Sequence, residues 1–561
     1  MSDRLTFSFD GEILVARRGQ SLAAALADAG HRVFRHTVKG SPRGVFCGMG
    51  ICQDCLVSVN GAPNQRACAT MVTAGADVRR QEPRPSLAPA ATVAAAPPVA
   101  RADLLEPDIL IVGGGAGGLN AAAVAARAGA RVLVLDERKV AGGQYFKQSA
   151  AGLSALDAQQ AQGAALLAAA RAAGAQLLEG TEVWGAFAGP ELYAVTAAGE
   201  PLILRPRQLI VATGAFERPL MVPGWTLPGV MTTGAAQILW RSYRSLPGRR
   251  IAVCGSGPLN LQVALELARA GSDVRLVAES AASPVWHPVT ALALLLADPS
   301  LVSAGIGMRL RLQLAGVPVR YRTELVSVAE GPARELRATF RRSGREETLE
   351  LDALCMNDGF EPQNEILRLL GADLSYDPVF GHLRCMRTSN MLTSVAGVYA
   401  VGDCCGLGGA PAALAEGRIA GAAAAAACGL TVNEDIDAAR RELTRARRFQ
   451  ARLWALHDPA PRALDKLSED TIICRCEEVS LAVLRAGISD GADHIGDVKR
   501  ATRAGMGCCQ GRYCGPVAAR LVSEASGRSL IDSSFFAPRV PIKPVSVGVL
   551  LATQEALDVQ A

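Results

Sequence analysis

Two short apolar runs in the stretch LTFSFDGEILVA flank Asp10-Gly11, a pattern that predicts paired strands joined by a tight turn. SLAAALADAG reads as a helix capped by Ser21 and stopped by Gly30, and CLVSVNGAPN returns to strand and turn. Residues 1–83 therefore form a small unit. Residues 84–107 are rich in Pro and Ala, show no period, and read as a semi-extended linker. A strand–glycine loop–helix unit opens at Asp108 and a second opens near Arg250, while GVYAVGD near residue 400 is a strand returning to the first unit. These boundaries give one domain in two parts, 108–247 and 356–430, with a second inserted at 248–355. A charged helical connector covers 431–467, a small helical module 468–535, and a tail without helical period 536–561, expected to pack across another domain. The elements predict an α/β multidomain protein.

A length of 561 residues exceeds what one hydrophobic core organises, and half the residues are apolar, as in globular proteins. The net charge of +5, with both signs mixed along the chain, argues against nucleic acid as a partner. The N-terminus lacks a signal pattern, and the apolar stretch VTALALLLADPSLVSAGIGM is interrupted by Asp298. The expectation is a cytoplasmic protein, touching the inner membrane only peripherally through its electron acceptor. In a reducing compartment, fifteen cysteines read as metal ligands and buried thiols before disulfides.

Four of those cysteines, Cys47, Cys52, Cys55 and Cys68, follow the C-x4-C-x2-C…C spacing of plant-type ferredoxins. Gly48 and Gly50 let the loop fold around sulfides and turn backbone N–H groups toward sulfur. The other reading is zinc, which usually shows two C-x2-C pairs or added histidines; neither is present. The spacing favours a [2Fe–2S] cluster.

DILIVGGGAGGLNAAAVAARAGARVLVLDE places Gly113, Gly115 and Gly118 between an apolar strand and a helix, with the acids Asp136 and Glu137 ending the next strand. That arrangement suits a dinucleotide: pyrophosphate on the helix N-terminus, ribose on the acid. The second unit has Gly255 and Gly257, but Asn260 stands where the third glycine belongs, which leaves nucleotide binding there open against a retained scaffold. Glu279 near its second strand's end would prefer NAD to NADP. Between Gly113 and Asp403 there is no C-x2-C or C-x4-C redox pair, and the adjacent Cys404 and Cys405 read as structural thiols.

Three segments resemble the two-dinucleotide-domain, glutathione-reductase-like flavoproteins: AGGQ with Gly143 and Gln144, LIVATGA with Ala212, Thr213 and Gly214, and GVYAVGD with Gly402 and Asp403. The resemblance implies FAD at the first unit, with Asp403 on the ribityl chain, and a nicotinamide nucleotide at the second. Near the C-terminus, CRCEEV supplies Cys474 and Cys476, and GCCQGRYCG supplies Cys508, Cys509 and Cys514. Their pattern resembles the [2Fe–2S] domain of bacterioferritin-associated ferredoxin, which implies Cys474, Cys476, Cys509 and Cys514 as ligands, with Cys509 chosen over Cys508. Zinc or a lost cluster is the other reading. Lys499, Arg500 and Arg503 would offset the cluster's charge.

The whole order resembles the α (A) subunits of opine oxidases, hydrogen cyanide synthase and dye-linked proline or hydroxyproline dehydrogenases, and the sarcosine oxidase α subunit without its folate-binding extension. The resemblance implies a β-subunit flavoprotein of the glycine or D-amino-acid oxidase type as partner and an acceptor such as a quinone or the respiratory chain. It also implies a further FMN at the interface between subunits and, in some relatives, NAD or ATP in place of FAD. The expected work is electron transfer within a heteromeric amino-acid, opine or secondary-amine dehydrogenase. An NADH-dependent flavin and iron–sulfur reductase and a redox-inactive scaffold are the other readings. No acid–base pair for amine oxidation stands out. His287, beside Trp286 and Pro288, reads as structural.

Overall fold

The computed structural model describes residues 4–84, 101–150, 152–457 and 460–558. Most of the linker expected at 84–107 lies outside them. Its last part is a strand, Asp103–Leu105, which runs parallel to Pro201–Leu204 and so belongs to the following sheet.

The N-terminal unit is a five-stranded sheet in the order Glu12–Arg17, Arg4–Phe9, Asp77–Arg80, Leu56–Val59, Ala62–Arg66. Asp10 and Gly11 both take positive φ, which matches the hairpin's turn to the twist of its strands. Ser21 caps the helix Leu22–Asp28 by accepting from the Ala24 N–H at 3.3 Å.

The first dinucleotide unit is a parallel sheet ordered Gln176–Glu179, Val132–Asp136, Ile109–Val112, Gln208–Val211, Val398–Ala400. All four residues of Ile109–Val112 are buried, as expected for a central strand covered on both faces. The second unit repeats the design with Val230–Thr232, Ala353–Asp358, Arg250–Ser256, Asp273–Glu279 and Val319–Tyr321. Between its last two strands, helices Pro288–Ala297 and Pro299–Leu314, with the turn before them, expose Trp286, Val289, Leu296, Ile306 and Leu314. Asp298, which interrupts the apolar stretch, caps the second helix through the Ser300 and Leu301 amides. Among the described residues no helix is long and apolar enough to cross a membrane.

The long helix Ile436–His457 leads to a small module in which the ribbon Ile472–Cys474 and Val479–Ser480 packs with helices Leu481–Ser489, Ile495–Thr502 and Gly515–Ser526. The tail departs from the sequence expectation: Val547–Asp558 is a helix. Val549 and Ala556 share its buried face with Trp184, Tyr193 and Ile203 of the first unit's antiparallel sheet, so a spacing of seven carries a helical signal that the β-branched residues mask. One core joins the N-terminal loop around Cys47 and Cys52, the second dinucleotide unit and the C-terminal module.

Candidate functional site

The loop Cys47–Cys55 and Cys68 bring four buried thiols together. They pair two by two, Cys47 sharing a hydrogen bond with Cys52 and Cys55 with Cys68. In the C-terminal set Cys474 pairs with Cys514, while Cys476 shares hydrogen bonds with both Cys508 and Cys509. Among the described residues no three of these sulfurs lie within 4.8 Å of one another. A mononuclear zinc site needs four sulfurs converging on one point, whereas two irons need two pairs. The first set fits the [2Fe–2S] alternative, and the second fits it with either Cys508 or Cys509 as the partner of Cys476. Burial pushes the Cys47 thiol up, but hydrogen bonds from Cys52 and from the Cys52, Met49 and Ile51 amides prevail and leave it at about 6. At Cys474 the Cys514 thiol dominates, again leaving about 6. Cys509 is buried with its set, whereas Cys508 is exposed at the rim, its sulfur 3.8 Å from that of Cys476. Gly507 is required by close approach: a Cβ there would stand 2.1 Å from the Cys476 Cβ.

A cleft of about 1180 Å³ runs along the first dinucleotide unit. Its walls include Gly113, Gly115, Asp136, Glu137, Gly143, Gln144, Ala212, Thr213, Gly214, Gly402 and Asp403. Gly118 lies one step behind, where helix and strand pack; a Cβ there would meet the Gly113 carbonyl oxygen at 1.9 Å. The two acids divide their work. The Asp136 carboxylate accepts from the Gly114 and Arg138 amides, each at 2.7 Å, so it braces the glycine turn. Glu137 is ion-paired with Lys543 of the tail, and both line the cleft. Burial and the nearby Arg66 charge bring the Lys543 ammonium down to about 7. Asp403 accepts from the Gly408 and Gly409 amides at 2.9 Å, and burial pushes its carboxyl up. Glu416, buried against Arg387, accepts from the Gly402 amide at 2.7 Å and fixes that turn. Met49, from the cysteine loop, forms part of the same wall.

In the second unit the expected ligand contacts are already engaged. Asn260 is buried, donating to the Asn357 carbonyl at 3.2 Å and accepting from the Thr233 hydroxyl at 2.8 Å. Glu279 accepts from the Gly257 amide at 3.1 Å and lies 3.4 Å from His457 Nδ1. The ring of Trp454 would lie 3.8 Å from a Cβ at Gly257, and the Ser256 hydroxyl donates to the His457 carbonyl. The end of helix Ile436–His457 thus covers the turn between Gly255 and Gly257.

Several residues that sequence reasoning passed over complete the picture. Arg475, between Cys474 and Cys476, is 2 % exposed and pairs with Asp54, which lies between Cys52 and Cys55, at 2.5 Å. The signal was its place between two ligand-type cysteines. The three cations expected to offset the cluster have local partners: Arg503 pairs with Glu477 at 2.8 Å, Arg500 with Asp497, and Lys499 lies over the Phe536 ring. His287 is exposed, outside the cleft. Cys404 and Cys405 are buried, their sulfurs 3.7 Å apart.

Comparison with known proteins agrees with this architecture. Residues 2–83 match the 2Fe-2S iron-sulfur cluster binding domain, 107–428 the pyridine nucleotide-disulphide oxidoreductase family, and 468–554 the sarcosine oxidase A3 domain. The opine oxidase A subunit of Rhizobium meliloti (strain 1021) is 34 % identical over 79 % of this chain and 97 % of its own. The hydrogen cyanide synthase protein HcnB of Pseudomonas aeruginosa, also named as a subunit, is 30 % identical over 78 % of this chain and 96 % of its own. The sarcosine oxidase α subunit of Rhizobium meliloti (strain 1021) is 26 % identical over 97 % of this chain and 57 % of its own. The crystal structure of L-proline dehydrogenase from P. horikoshii has the same fold, with a TM-score of 0.71 and 98 % of each chain covered at 21 % identity. The chain belongs to the pyridine nucleotide-disulphide oxidoreductase family and to the family of the opine oxidase A subunits and HcnB.

Proposed function

We propose that this chain is the electron-transferring subunit of a heteromeric dehydrogenase acting on amino acids, opines or secondary amines, with substrate oxidation in a partner flavoprotein. The observation that carries the reading is that the loop holding Cys47, Cys52 and Cys55 contributes Met49 to the cleft wall, while its other side meets the second cysteine set. Cleft and cysteine sets thus adjoin in one sequence. The partner is supported by relatives that are named as subunits.

In this reading the cleft holds FAD. Helix Ala116–Arg127 directs its N-terminal amides at the pyrophosphate, Glu137 with Lys543 holds the adenosine ribose, and Asp403 holds the ribityl chain. Cys47, Cys52, Cys55 and Cys68 hold one [2Fe–2S] cluster, and Cys474, Cys476, Cys509 and Cys514 another. A bound flavin accepts electrons in pairs and releases them singly to clusters that carry one each. The chain's own work is to orient these groups, exclude water between them and supply the surrounding charge. The covered second unit speaks against self-sufficient reduction by NADH. An FMN at the interface with the partner belongs to the same proposal.

The test is purification of the chain alone and with its partner flavoprotein, followed by dye reduction with amino acids, opines and sarcosine. Turnover only in the pair is expected. Robust turnover by the isolated chain would overturn the reading.

A further inference from the structure

The two cysteine sets are joined through the residues between their ligands. Asp54 of the first set and Arg475 of the second form the buried ion pair, and the Cys508 sulfur lies 4.0 Å from the Gln53 carbonyl oxygen. The Arg475 guanidinium stacks on Phe46, the neighbour of Cys47, at 3.5 Å from the ring centroid, with Trp225 at 4.6 Å beyond. Tyr513, between Cys509 and Cys514, sets its ring 5.4 Å from Phe46. Each set therefore builds part of the other's wall.

The donors in this seam outnumber its acceptors. Among the described residues Arg43 Nε, Arg475 Nε, Arg475 Nη1 and the Tyr513 hydroxyl have no hydrogen-bond partner, against one such acceptor, Asp54 Oδ2, and Arg475 and Tyr513 are 4 % exposed or less. A buried donor left unanswered is costly, and native interiors rarely contain several together. The charges point the same way. Among the described residues the ion pairs of Arg35, Arg43 and Arg475 are with the two acids Asp54 and Glu478, three cations against two anions. Unanswered donors and a surplus cation between two sets of thiolate ligands suit an anionic sulfur core on either side.

Resting on the two-cluster reading, we propose that Arg475, fixed by Asp54 and assisted by Tyr513, is a shared cationic donor that sets the reduction potentials of both clusters. When either cluster accepts its electron, that site gains one negative charge with no bond made or broken. Arg475 favours that reduced form at both sites, because the same guanidinium adjoins both ligand loops. Its role is positioning and electrostatic, and its loss therefore lowers two potentials at once. A cation belonging to one site alone lowers only one.

The test is a redox titration of the purified, cluster-loaded chain followed by EPR, in wild type, Arg475→Met, Arg475→Lys, Tyr513→Phe and Arg503→Met. Arg475→Met is expected to lower both midpoint potentials, Arg475→Lys to recover most of the shift, Tyr513→Phe to lower both by less, and the exposed Arg503→Met to change neither. Movement of one potential or none in Arg475→Met, at wild-type iron content, would overturn the proposal. If Arg475→Met fails to retain iron, Tyr513→Phe decides, and two unchanged potentials overturn it. Iron content of the wild type separates this from the underlying reading: fewer than two clusters per chain would overturn the reading itself.

Discussion

At the scale of the residue, the glycines of the first turn separate folding from binding. Gly113 and Gly118 are held against backbone, where a Cβ would meet oxygens at 2.3 and 1.9 Å, whereas near Gly115 only the Gly143 Cα comes as close as 3.8 Å. Gly115→Val is therefore expected to fold but to lose yellow flavin absorbance on purification, while Gly118→Val should destabilise the fold itself, as overpacking against backbone does. A Gly115→Val protein with full flavin would show that the cleft is not the flavin site. Cys52→Ser should abolish one [2Fe–2S] EPR signal and leave flavin bound; unchanged iron would refute the ligand assignment. His382 gives a pH test. Burial, with Arg218 nearby, brings its imidazole down to about 4. The unfolded chain then takes up its proton first, so stability falls as pH drops from about 6.5 toward 4, by roughly 3 kcal/mol in full. His382→Phe, which keeps the stack on Phe380, should flatten that acid limb in denaturant titrations, and an unchanged slope would count against it. The ligand-type cysteines and the glycine turn were legible because chemistry fixes their spacing. Arg475 and Asp54 were not, since their pairing joins positions more than four hundred residues apart and carries no local period.

At the scale of the element, helix Ile436–His457 decides what the second dinucleotide unit does. Its charge pattern announced a helix, but nothing in its sequence says that Trp454 and His457 cover the turn at Gly255 and Gly257. That contact is tertiary, as are the bonds to Thr233 and Asn357 that hold Asn260 where close packing normally asks for glycine. Because Glu279 is already bonded to Gly257 and flanked by His457, NADH added anaerobically should leave the flavin oxidised. Rapid bleaching by NADH alone would revive the self-sufficient reductase. The tail departs in the opposite sense: Val547 and Val549 hide a helix whose buried face is set by the sheet beneath it. The strands of the two dinucleotide units, by contrast, were legible from apolar runs and glycine turns, because a central parallel strand must be apolar along its whole length.

At the scale of the whole molecule, the flavin cleft adjoins the first cysteine set and the first set adjoins the second, with Met49 between cleft and first set and Arg475 and Tyr513 between the sets. In the proposed reading electrons enter at the cleft from a docked partner flavoprotein and pass on to these two sets. The most direct measurement is anaerobic addition of an amine substrate, chosen by screening, to the chain with and without its partner flavoprotein, followed by EPR. The account predicts that both reduced-cluster signals appear only when the partner is present. Cluster reduction by substrate in the isolated chain, or a reduced flavin beside clusters that stay oxidised in the pair, would contradict it.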